Sequence, residues 1–119
     1  GGLVFAGNLA EHLLTDKFTD AALAAELGRD RTATPIVARS TTEAVSMCVI
    51  MRVPAESAAL FRTEVMSDAE KTAMQALAPQ LSGCIKEGTQ FRTNRPGLRA
   101  LLALASYRIV MTSQDGEAG

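Results

Sequence analysis

The chain has 119 residues, 47% of them hydrophobic and 21% charged, which is the size of one domain and a composition that excludes intrinsic disorder. A net charge of −1 and an aromatic content of 4%, with no Trp and one Tyr, weigh against a phosphate-binding surface and against a platform for stacking bases. No apolar run approaches the ~20 residues that span a bilayer, since the longest, around Leu98 to Met111, is broken by Arg99 and Arg108.

Gly1-Gly2 without an initiator Met reads as a processed or trimmed start. Leu3, Val4, Phe5, Leu9, Leu13 and Leu14 then recur at helical spacing and predict a first helix from about Gly2 to Leu14. Asp20 precedes a run of strong helix formers from Ala21 to Leu27, and Gly28 supplies the stop of a short second helix. Thr32, Thr34 and Pro35 mark 29–39 as a connection, because proline drives the residue before it out of the helical region.

Ser40 and Glu43 form a capping box, in which the serine oxygen accepts the Glu43 amide and the carboxylate returns to the cap amide. The helix it opens, Thr41 to Arg52, carries Val45, Cys48, Val49 and Arg52 on one side and Met47, Ile50 and Met51 on the others. Glu43 and Ser46 are its only polar strip, so it is expected in the middle of the fold. Pro54 starts a fourth helix containing Ala58, Leu60 and Phe61.

Ser67 and Glu70 repeat the capping box and open a fifth helix at Asp68. Pro79 is expected to kink or restart it after Leu77, with a second piece ending near Lys86 and Gly88 closing it. Ala73, Leu77, Leu81, Cys84 and Ile85 share a face across that break. Asn94 as cap and Pro96 in the first turn open the sixth helix, where Leu98, Leu101, Leu102, Ala105 and Ile109 keep helical register to about Met111, a length of about 24 Å. Arg99 and Ser106 fall on its polar side. The tail from Thr112 to Gly119 is polar and expected to fray.

These elements predict an all-α fold, a compact bundle of about five to six helices without substantial sheet, forming one domain over 1–111 with the third, fifth and sixth helices at its core. Residues 2–12 can also be laid without gaps on residues 97–107. The first helix then reads as the last helix of a preceding repeat, or as an Ala/Leu-rich likeness by composition.

Cys48, the segment Cys84-Ile85-Lys86-Glu87-Gly88 and the segment from Asn94-Arg95-Pro96 to Ala103 resemble a group of often exported alphaproteobacterial proteins of uncharacterised activity. That group places one Cys before a short Pro-started helix and a second before a Gly, and it ends in a helix resembling the pattern RPxLRxLLAxAxYR. Arg95-Pro96, Leu98-Arg99 and Tyr107-Arg108 match the pattern, and Ala105-Ser106 departs from it. The likeness covers roughly Ala44 to Arg108, and it implies a fold and an export route to the periplasm or exterior, but no activity.

Cys48 and Cys84 each lie on the apolar side of a helix, where they either pack as thiols, as in a cytoplasmic protein, or bond; the implied export favours the bond. A bonded loop of about 36 residues contributes roughly 4 kcal/mol in the chain-entropy model. Redox chemistry is not indicated, because the close Cys-x-x-Cys spacing is missing. Two cysteines with the single, distant His12 make a poor zinc set, and no metal or cofactor is expected. His12 reads as a helix-surface residue, and no nucleophile elbow, zinc-protease motif or phosphate loop is present, so the chain is expected not to be an enzyme.

Lys86, Arg92, Arg95 and Arg99 form a local basic cluster that could contact an anionic partner. Cations at a helix N-terminus oppose the macrodipole, which also suggests pairing with acidic side chains. The expected role is a structural or protein-interaction domain that packs against another copy or an unknown protein. Two alternatives remain. Asp20–Arg39 could be a helix-turn-helix, although Thr34-Pro35 interrupts its second helix and nucleic acid is not favoured, and the Met and Leu content could line a pocket for an apolar ligand.

Overall fold

The structure, a computed structural model, describes residues 2–118, with side chains described through Thr112. It is an all-α bundle whose described residues form six helices: α1 (Gly2–Lys17), α2 (Asp20–Leu27), α3 (Thr41–Arg52), α4 (Pro54–Leu60), α5 (Asp68–Cys84) and α6 (Arg95–Ala118). Its radius of gyration is 13.5 Å, matching the roughly 13.5 Å expected of a compact chain of this length.

Most helix starts follow their sequence signals. Ser40 Oγ accepts the Glu43 amide at 3.1 Å, Ser67 Oγ accepts that of Glu70 at 3.1 Å, and Asn94 Oδ1 accepts that of Gly97 at 2.8 Å. The returning carboxylates reach one residue further back than a capping box requires, since Glu43 accepts from the Arg39 amide and Glu70 from the Met66 amide. Three helix extents also differ. α1 extends to Lys17, and α5 passes through Pro79 to Cys84 without a restart. The carbonyl that loses its partner to the proline ring belongs to Gln75, which is exposed, so water can replace the missing bond. α6 continues to Ala118, beyond the point at which fraying was expected; the side chains of 113–119 lie outside the described residues.

α6 is the centre of the bundle. Leu102, Ala103, Ala105, Ile109 and Val110 are buried on it, and α1, α3 and α2 pack around it. Met47, Val49 and Ile50 of α3, Leu23 and Leu27 of α2, and Ala58 and Leu60 of α4 complete the core, whereas α5 adds Leu77 as its one buried apolar residue. The core therefore holds the expected third and sixth helices, while the fifth contributes little and Ala10 and Leu14 of α1 pack in beside them.

Two residues assigned to outward polar strips are inside. Ser46 is buried in α3 with its hydroxyl donating to the Thr42 carbonyl at 2.9 Å, and Ser106 is buried in α6. Small polar side chains cost little volume at a close helix contact, and the Ser46 hydroxyl returns to its own helix backbone, whereas the buried Ser106 hydroxyl has no hydrogen-bond partner among the described residues. Arg99 is the third such residue.

The close approach of α1 to α6 has a local cause. A Cβ built on Gly7 would stand 2.5 Å from both Cα and Cβ of Ala100, a separation that only glycine permits. At the far end of α1, Arg62 donates to the Thr15 and Phe18 carbonyls at 3.1 and 2.7 Å and pairs with Asp20 at 2.8 Å. It thereby satisfies carbonyls that a helix end leaves without partners.

Candidate functional site

The basic cluster is divided by the fold. Arg99, 5% exposed, holds Glu11 in a two-bond fork, Nε to Oε2 at 2.9 Å and Nη2 to Oε1 at 2.6 Å. Its Nη1 reaches Glu70 Oε2 at 2.8 Å and Thr63 Oγ1 at 3.1 Å, while Nη2 also donates to the Thr63 carbonyl at 2.8 Å. Arg95, one turn earlier, pairs with the other oxygen of Glu70 at 2.6 Å. Two cations thus meet two carboxylates, and the group keeps no net charge for an anionic partner. Lys86 and Arg92 are exposed and do not join it.

This cluster ties α1, α5 and α6 together. Burial disfavours the charged form of Glu70, yet hydrogen bonds from Arg99, the Met66 amide and Arg95 outweigh it and hold its carboxyl below the ordinary value. For Arg99, burial is likewise outweighed by Glu11 and Glu70, which hold its guanidinium above the ordinary value. The ion pairs are internal, and a buried pair fixes position more reliably than it adds stability.

The larger surprise is α1. Its buried residues are Gly7, Ala10, Glu11 and Leu14, which fall at the 3- and 4-residue spacing of one helix face. Of the apolar residues that signalled the helix, only Leu14 belongs to that face. Phe5, Leu9 and Leu13, 73%, 53% and 45% exposed, form a straight stripe on the opposite side, and Leu3 and Val4 flank the buried face while still exposed. α1 is thus apolar on two faces, and the described residues cover one.

The loop between α4 and α5 adds Val65 and Met66, both exposed, and Val65 lines a cleft with Val4 and Asn8. Met66 has a positive φ of 65°, uncommon for a residue with a side chain. Its amide donates to Glu70 and its sulfur lies 3.8 Å from Arg95, so the same charged cluster sets the shape of this loop.

Cys48 and Cys84 are bonded, joining α3 to the end of α5 with Cα atoms 5.8 Å apart. They line an open cleft with Thr41, Ala44, Val45, Lys86 and Thr89. His12 is exposed on α1. The segment from Gly28 to Ser40 contains no helix, so no recognition helix directly follows α2; Arg108 fastens this segment to α6 by donating to the Val37 carbonyl, and it also donates to Glu43 of α3. Among the described residues no group of His, Cys, Asp and Glu is arranged to hold a metal ion, and no helix is long and apolar enough to cross a membrane.

The two-faced character of α1 was partly visible in the sequence, because its apolar residues are too many for one face. Arg99 left a weaker trace, a lone cation inside an apolar register, matched by the equally isolated Glu11. Comparison with protein-family models, curated proteins and solved structures finds no match to this chain.

Proposed function

We propose that this chain is a non-enzymatic protein-interaction domain that docks a partner through the outer face of α1, in an oxidising compartment outside the cytoplasm. The observation that carries the reading is the stripe of Phe5, Leu9 and Leu13 on a helix whose other face is already buried. Contiguous exposed apolar surface of this kind marks interaction sites more often than it is left in water. The chain's cations support the same reading, since Arg62, Arg95, Arg99 and Arg108 are engaged in internal structure. The Cys48–Cys84 bond supports the compartment, because structural disulfides persist where glutathione and thioredoxin do not reduce them.

The test is a photo-crosslinking amino acid placed at position 9 and, as control, at exposed Gln75 of α5, in the cells that make the protein. Discrete adducts specific to position 9 are expected, whatever the partner. The same faint, unspecific adducts at both positions would overturn the reading.

A further inference from the structure

We propose that the outer stripe of α1 is a self-association surface, on which two copies of this chain lay α1 against α1 in opposite directions about a two-fold axis beside Leu9. The proposal rests on the reading of α1 as a docking face and commits that face to one occupant. It is isologous, so every contact is made twice.

The stripe is its own complement when inverted. Phe5, Leu9 and Leu13 are spaced four residues apart, so reversal about Leu9 sets Phe5 of each copy against Leu13 of the other and Leu9 against Leu9. The larger ring at one end meets the smaller side chain at the other, and the two helices stay in contact along their length. Ala6 and Gly2 border the stripe and present no bulk to hold the helices apart.

The charges fit the same reversal. α1 has no acidic residue in its first turn, so no side chain there offsets the partial positive charge of the helix amides at its Gly2 end. Asp16 is exposed two turns after Leu9 on the stripe's side of the helix. Inversion about Leu9 brings Asp16 of each copy beside the Gly2 end of the other, at both ends of the contact. A parallel pairing would place like helix ends together and leave Asp16 beside Asp16.

The area is enough for a dimer that dissociates. Phe5, Leu9 and Leu13 leave about 350 Å² of side chain exposed per copy, on the scale of one large aromatic plus two half-covered leucines. With the flanking Gly2, Ala6, His12 and Asp16, a pair removes about 1,100 Å² from water, at the lower edge of specific interfaces, where association is weak and reversible. A lipid surface suits α1 less well, because its charged residues are Glu11, Asp16 and Lys17, whereas membrane-surface helices are rich in Lys and Arg.

Sedimentation velocity of the native, disulfide-intact chain from about 1 to 500 μM tests the proposal. The weight-average sedimentation coefficient is expected to rise from monomer to dimer over that range, with Leu9→Glu weakening association more than about 50-fold and Asp16→Lys about 3- to 10-fold. Phe5→Ser gives the same loss with a smaller perturbation, and circular dichroism establishes that each variant is folded. The register has its own readout: Leu9→Cys forms a covalent dimer under mild oxidation, whereas Phe5→Cys does so only when mixed with Leu13→Cys. A native chain that stays monomeric at 500 μM, or a folded Leu9→Glu that associates as the native does, overturns self-pairing. If crosslinks at position 9 then lead to a different protein, the docking reading stands and only the choice of occupant falls.

Discussion

Arg99 shows how one buried side chain can be compulsory without being strongly stabilising. Its guanidinium satisfies carboxylates from two other helices, so deleting it leaves the buried Glu11 without its ion-pair partner and Glu70 with Arg95 alone. Arg99→Leu is expected to cost about 3–5 kcal/mol, read from urea unfolding at neutral pH; a loss below 1 kcal/mol would mean that water reaches the carboxylates. Glu70 makes a second, separable expectation. Its folded carboxyl is held below the ordinary value of 4.5, so its contribution is fully present above that value and is lost as the pH falls through the folded one. Urea midpoints between pH 3 and 7 should fall on the acid side, and Glu70→Gln should flatten that fall while lowering stability at neutral pH. The sequence hid this network because its partners lie 88 and 29 positions from Arg99, while local spacing showed only two arginines a turn apart.

At the scale of elements, the close contact of α1 with α6 turns on a position that propensity alone misjudges. Glycine inside a helix ordinarily costs about 1 kcal/mol relative to alanine, so Gly7→Ala would stabilise an isolated α1. Here the added methyl would meet Ala100 at 2.5 Å, and overpacking of that kind costs about 1–3 kcal/mol. Gly7→Ala is therefore expected to lower the thermal midpoint, and Ala100→Gly in the same chain to recover part of it; additive losses would show that the two positions do not meet. Helices α3 and α4 and the start of α6 were legible because caps and prolines act within four residues. The burial of α1 was not, since its large apolar residues announced a helix while Gly7, Ala10 and Glu11 formed the packed face. The restart expected at Pro79 does not occur, as a proline in a solvent-facing turn need not end a helix.

For the molecule as a whole, the Cys48–Cys84 bond closes a loop of 36 residues and contributes about 4 kcal/mol by restricting the unfolded chain. That is a large share of the 5–15 kcal/mol typical of a domain. Reductant, or Cys48→Ala with Cys84→Ala, should lower the thermal midpoint by roughly 10–20 °C, and denatured protein kept from reductant should show no reactive thiol. Two thiols under those conditions would return the protein to a reducing compartment. The all-α class was readable because helical periodicity and end signals agree along most of the chain. The exposed stripe of α1 was not, because a sequence lists apolar residues without saying which ones the fold leaves outside.

The fork between Glu11 and Arg99 bears on that last point. Apolar character alone gives a helix greasy on two sides no strong reason to prefer one rotation about its own axis, although only the Gly7 side can approach Ala100 so closely. Glu11 fixes the same rotation by charge, since its carboxylate meets the buried Arg99 on that side. The ion pair thus works as a clocking pin: it costs the chain two desolvated charges and decides which stripe of α1 the outside world meets.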